Sequence, residues 1–255
     1  MDFWKRAQEL KDEITQNRRR IHQNAEVGLN LPNTKAFVME KLREYGLKPT
    51  ECGHGVTATL GKPGKTLLLR ADMDALPIQE KNFDKPYRSR IDGAMHACGH
   101  DIHAAVLYGT LLRLSAERNF EGTLFGIFQP GEESNPGGAS KVLAENPFEG
   151  YTVLAVVGEH VEPALDAGTL GFRAGKYMAS NDELRLTLEG AGGHAAMRAE
   201  HRDTVSAAAQ LILHLTALNT PERVVSIGKV EAAGATNVIP DRVYICLLYT
   251  SDAAD

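Results

Sequence analysis

Three apolar stretches of this chain each run straight into residues that can hold a metal or move a proton. Thr66–Leu69 leads into Arg70-Ala-Asp-Met-Asp74, Gly122–Phe128 into Gln129-Pro-Gly-Glu-Glu133, and Val153–Val157 into Gly158-Glu-His160. Each reads as a short, largely apolar, buried strand, and helical patterns alternate with them. That alternation is the signature of an open α/β sheet, whose ligand sites lie beyond the carboxyl ends of the strands. Independent surface charges would not fall so regularly at strand ends. The loops after these strands are therefore expected to converge on one site.

Gly93–His103 adds a denser cluster, with His96, Cys98, His100, Asp101 and His103 in eleven residues. Cys98 and His100 are separated by Gly99. A thiolate and an imidazole so placed can reach one cation if the loop is tight, and glycine permits that. An apolar helical pattern follows, to about Ala116, so the cluster sits at a helix start that Asp101 is expected to cap. A structural or redox cysteine beside unrelated histidines is the competing reading.

The rest of the chain frames these segments. Apolar spacing predicts helices over residues 3–22 and from Asn33 to Tyr45, after Pro32 and before Gly46. Arg18-Arg19-Arg20 is expected on a solvated helix face. Val56–Leu60 and Thr66–Leu69 flank the turn Gly61-Lys-Pro-Gly64, and a short helix is expected near Ala139–Ala144. From about Ser180 the pattern changes. Glu183–Leu188 alternates as a strand, Gly190–Ala196 is a glycine-rich turn carrying His194, and Asp203 can cap a helix to about Leu218. Val224–Val230 and the segment from Ala235 read as further strands. The expected architecture is an α/β catalytic domain with an open, twisted, mostly parallel sheet (1–178) and a smaller α+β lid or dimerisation domain (179–245).

The segment 246–255 is set apart, because it interrupts the strand pattern and resembles the translation of a sequencing adapter. On that view the natural chain continues beyond Ile245, the lid is incomplete, and the 255 residues made alone are expected to be inactive.

With 43% hydrophobic and 24% charged residues and a net charge of -5, the composition is that of an ordinary soluble protein with no basic patch for nucleic acid. Three widely spaced cysteines argue against a disulfide framework and for a reducing compartment. The first residues lack a signal-peptide core and no apolar run reaches membrane-spanning length. A cytoplasmic protein is expected.

Chemically, paired carboxylates such as Glu132 and Glu133 suit metal-assisted hydrolysis: one ligates a cation, the other takes a proton from the water it acidifies. Cys98, His100, Glu133 and His160 would supply sulfur, nitrogen and oxygen donors suited to zinc, manganese, cobalt or nickel. Taken singly, each has a plainer explanation: a solvated loop for Glu132 and Glu133, a hydrogen-bonded strand-end histidine for His160, a helix cap or a partner for Arg70 in Asp72 and Asp74, a turn for Asn237. Their joint placement decides for a site.

The chain resembles the M20 metallopeptidase clan in its amidohydrolase branch, which includes N-acyl-amino-acid amidohydrolases, hippurate hydrolases and auxin-conjugate hydrolases. Six motifs in order carry the resemblance: Arg70–Pro77, Met95–His103, Phe128–Glu133, Gly158–His160, Gly192–Ala196 and Thr236–Asp241. It implies hydrolysis of the amide of an N-acyl amino acid, with a dipeptidase or carboxypeptidase of the same clan, or a non-catalytic metal-binding fragment, as alternatives. It implies two divalent cations, with Cys98, His100, Glu133 and His160 as ligands, Glu132 as general base and Asp74 orienting a ligand. It further implies His194 at the substrate carbonyl, Asn237 near the substrate, and a homodimer through the lid. Two departures stand out. Relatives carry a further ligand histidine in a later segment, absent here. Many also follow the Gly-Gly-His motif with Met-Pro-His, where this chain has Met197-Arg-Ala-Glu-His201.

Overall fold

The computed structural model describes residues 3–251 apart from positions 63, 117 and 119. Pro63, in the expected turn, and residues 252–255 of the expected tail lie outside the described residues. The chain divides into two compact units, one up to Ala164 and one from Leu165 on. The sequence places that division after residue 178; the intervening 165–179 segment forms no helix or strand that would tie it to the first sheet.

In the first unit, α1 (Phe3–Gln23) and α2 (Pro32–Glu44) fall close to their expected ranges. Pro32 opens α2, where its missing N–H costs nothing, and Gly46, with φ of +73°, follows its end. The sheet contains β1 (Thr50–Cys52), β2 (Gly55–Gly61), β3 (Lys65–Asp72), β4 (Thr123–Gln129) and β5 (Thr152–Gly158), in the order β1-β2-β4-β3-β5. The three strands that end in candidate site residues run parallel, β3 pairing with β4 on one side and β5 on the other. β1 and β2 extend the sheet as antiparallel strands. Helix α3 (His100–Ser115) connects β3 to β4, and α4 (Gly138–Ala144) lies between β4 and β5. The fold is the α/β type expected.

Over β2, β3 and β4 the sheet is covered on both faces. Ile21, Phe37 and Leu42 from the first two helices, with Leu107 and Leu111 from α3, pack on Val56, Leu60, Leu124 and Phe128. Leu68, Phe125 and Ile127 meet Cys52 and Val142 on the other face. β4 is buried at all seven positions. β5, expected to be buried, is exposed at all seven. It is an edge strand, paired only with β3 among the described residues, and apolar composition alone does not reveal that.

The second unit holds β6 (Ser180–Glu189), β7 (Gly193–His194), α5 (Thr204–Thr216), β8 (Arg223–Ala232), β9 (Val238–Ile239) and β10 (Arg242–Ser251). Asp203 caps α5 as expected, accepting the N–H of Val205 and of Ser206, both at 3.0 Å. β10 is the middle strand of β6-β10-β8. Residues 246–251 therefore continue a strand where the sequence suggested an interruption: Cys246 lies opposite Arg185 on one side and Lys229 on the other. The alternation explains it, since Val243, Ile245 and Leu247 are all buried. Val243 and Ile245 form a small core with Ala208 of α5. No helix among the described residues is long and apolar enough to cross a membrane.

Candidate metal centre

The start of α3 is built differently from the sequence expectation. Gly99, at φ of +90°, precedes the helix in the left-handed conformation that suits glycine, and no side chain caps it. Asp101 turns inward. Its Oδ2 lies 2.6 Å from Arg18 Nε and 2.8 Å from His22 Nδ1. Arg18 is therefore not on a solvated face. It also stands over the Tyr87 ring with Arg19, while Arg20 covers Phe37. A buried carboxylate needs such a partner.

Cys98, His100 and His160 bring their donor atoms within 4.8 Å of one another, and so do His100, Glu132 and Glu133. The loops after β4 and β5 and the start of α3 thus meet at His100. Cys98 Sγ is 3.3 Å from His160 Nε2. His100 Nε2 is 3.8 Å from Glu132 and 3.9 Å from Glu133. Asp74, just past β3, accepts the backbone N–H groups of Glu132 at 2.9 Å and Glu133 at 3.0 Å. The same carboxylate lies 3.4 Å from His100 Nδ1. One buried side chain thereby fixes both the acidic loop and the imidazole. Asp72 Oδ2 also lies 3.8 Å from His100 Nε2, but its hydrogen bonds go to His103 Nδ1 at 2.6 Å and Arg70 Nη1 at 2.7 Å, and Arg70 Nε donates to Gln129 at 2.9 Å.

The donor set fits a divalent cation. His100 Nε2 is buried without a hydrogen-bond partner, while Nδ1 lies beside Asp74. Leaving a buried polar group unpaired costs about 1–3 kcal/mol unless a ligand satisfies it. Burial, then the charges of Glu133 and Asp72, push the Glu132 carboxyl above the ordinary range. Burial, then a hydrogen bond to Glu133 and the nearby carboxylate charges, push the Cys98 thiol up to about 12. Burial works against a charged His100, but Asp74, Asp72 and Glu132 outweigh it and raise its pKa. Negative charge thus collects where sulfur, nitrogen and oxygen donors converge, and a cation would relieve it. His160 is prepared in the same sense. Its Nδ1 donates to the Val161 carbonyl at 2.8 Å, which leaves the Nε2 lone pair on the Cys98 side.

The second unit places His194 on β7, opposite Val238 of β9. His194 Nδ1 accepts the Ala196 N–H at 3.2 Å, so its proton sits on the exposed Nε2. Asn237 is its neighbour through the backbone, accepting the Ala195 N–H at 2.9 Å. His201 donates from Nε2 to the His194 carbonyl at 2.7 Å. Its ring occupies the space a Cβ on Gly193 would need. His201 and His103 were not singled out by sequence for these contacts. The signal for His103 was its place one helical turn after His100; for His201 there was none.

A family model described as peptidase family M20/M25/M40 matches residues 68–251. An N-acetyl-L-cysteine deacetylase of Bacillus subtilis is 36% identical over 247 residues, covering 92% of this chain and 58% of its own length. An N-acyl-L-amino acid amidohydrolase of Geobacillus stearothermophilus is 34% identical over 248 residues, covering 93% and 66%. Among solved structures, a dinuclear metal-binding peptidase of the M20 family from Bacillus subtilis superposes with a TM-score of 0.71 at 33% identity, covering 96% of this chain and 65% of that one. The chain thus spans less than two thirds of the length of these relatives.

Proposed function

The chain belongs to the peptidase family M20/M25/M40, and from that premise we propose that the whole protein is a metal-dependent amidohydrolase. Its substrates are N-acyl amino acids, which it cleaves at the amide to a carboxylic acid and an amino acid. The observation that carries this reading is the meeting of Cys98, His100, Glu133 and His160 beside Glu132. Relatives named as a deacetylase of N-acetyl-L-cysteine and as an N-acyl-L-amino acid amidohydrolase support the substrate class.

Cys98, His100, Glu133 and His160 would hold two divalent cations of the zinc, manganese, cobalt or nickel type. When bound, these supply Lewis acidity, polarising the amide carbonyl and lowering the pKa of water towards ~7. Glu132 does the proton work. Burial and its acidic neighbours keep its carboxylate more basic than usual, so it takes the proton from the attacking water and passes it to the leaving amine as the C–N bond breaks. Asp74 keeps the Glu132–Glu133 backbone and the His100 ring in place. His194, with its proton on Nε2, is assigned as the donor to the carbonyl oxygen as charge builds there. Asn237 is assigned near the substrate. A homodimer through the second unit and a cytoplasmic setting belong to the same proposal, the latter supported by the free state of Cys52, Cys98 and Cys246.

Glu132→Ala in the full-length protein is expected to lower kcat/KM for N-acyl amino acids by about 10²–10⁴-fold, with metal content preserved. Assays with N-acyl amino acids and dipeptides side by side, with metal analysis of each preparation, check this. Wild-type turnover by the variant would remove Glu132 from the mechanism.

A further inference from the structure

We propose that His103 is a positioning residue: through the Val161 backbone it holds His160 in the orientation a metal ligand needs, with Asp72 fixing its tautomer. This deepens the metal-centre reading above and rests on it.

His103 is 1% exposed, and its ring meets that of His160 edge-on with centroids 4.6 Å apart. It stands among the candidate donors, grouped with Asp72 and His100. Its hydrogen bonds nevertheless rule it out as a ligand. The Val161 amide nitrogen lies 3.0 Å from His103 Nε2. An amide N–H can only donate, so Nε2 carries the lone pair and Nδ1 the proton. That proton goes to Asp72 Oδ1 at 2.6 Å. Both ring nitrogens are spent.

His160 is the complement. Its Nδ1 donates to the carbonyl of the same Val161, and its Nε2 stays free beside Cys98. The two polar groups of one peptide residue are therefore held by two histidines, the N–H by His103 and the C=O by His160. The Val161 side chain also closes over Gly99, where a Cβ would overlap it, between Cys98 and His100.

Among the described residues β5 pairs only with β3, and the hydrogen bonds that hold the loop after it come from His103 and His160. The brace is itself anchored. Gln129 at the end of β4 accepts from Arg70, Arg70 donates to Asp72, and Asp72 accepts from His103 on α3. One hydrogen-bonded chain thus links the ends of β4 and β3, through α3, to the loop after β5.

The test is a cobalt(II) titration of the full-length protein, followed by the near-ultraviolet thiolate-to-cobalt band that reports metal on Cys98. His103→Ala is expected to raise the half-saturating cobalt concentration by about 10–100-fold, the usual cost of losing support around a ligand. His103→Gln, which can still accept from the Val161 N–H, should recover part of that loss. Half-saturation of His103→Ala within about twofold of wild type overturns the brace while leaving the metal centre standing. A wild-type protein with no saturable band overturns the metal centre instead. Nitrogen-15 NMR of the unsubstituted protein tests the brace whether or not the alanine variant folds. A neutral His103 protonated at Nδ1 supports it, and a proton on Nε2 overturns it.

Discussion

β4 and β5 resemble each other in sequence and differ in almost everything else. Both are short apolar strands on either side of β3, and both lead into candidate metal ligands. β4 is buried throughout, with Leu111 packed so closely on Gly126 that a Cβ there would press on it at 2.7 Å. The loop after it is then fixed by Asp74, which takes two backbone N–H groups at once. β5 pairs only with β3 among the described residues, and the residues after it are held by hydrogen bonds of His103 and His160. Side chains can be placed for chemistry by a core beneath the strand or by hydrogen bonds beyond it, and this site uses both.

The contrast can be broken by substitution. Leu111→Ala, beneath β4, is expected to cost about 2–5 kcal/mol, because a fully buried leucine leaves a cavity; urea denaturation measures it. A loss under about 1 kcal/mol would mean the β4 core is not the anchor described. Asp74→Ala should cost about 1–3 kcal/mol, since two N–H groups lose their acceptor in a partly buried loop. It should also slacken metal binding, which calorimetry with zinc would read. In the 255-residue chain, Leu154→Ala in β5, 64% exposed there, should stay within about 0.5 kcal/mol of wild type by the same urea midpoint. A larger cost there would show that β5 is supported by more than its pairing with β3.

What the sequence made legible was local. Strand and helix existence followed from periodicity, and Cys98, His100, Glu132, Glu133 and His160 were named from motifs and do come together. What it hid was the choice of partner across long separations. Asp101 looked like a cap because aspartate commonly caps, yet Arg18 and His22, far along the chain, draw it inward. In Arg18-Arg19-Arg20 the second and third residues are exposed as expected, and only Arg18 is drawn inward, because its acidic partner Asp101 lies far along the sequence. β5 looked buried because it is apolar, and among the described residues only β3 pairs with it. Residues 246–251 extend β10 because the alternation that buries Ile245 runs on to Leu247. The work of His103 was hidden for a simpler reason: its partner at Val161 is a backbone group, and backbone groups leave no mark in a sequence.

The central place of β10 has a consequence for the order in which the molecule is made. β6 and β8 pair with β10 and not with each other. At the usual pace of about 5–20 residues per second, synthesis leaves β6 waiting on the order of several seconds for β10, its neighbour among the described residues. During that interval the alternating apolar side chains of β6, Leu184, Leu186 and Leu188, have no sheet to join. The nascent second unit is therefore most exposed to chaperones, and to mispairing with other nascent chains, just before β10 leaves the ribosome.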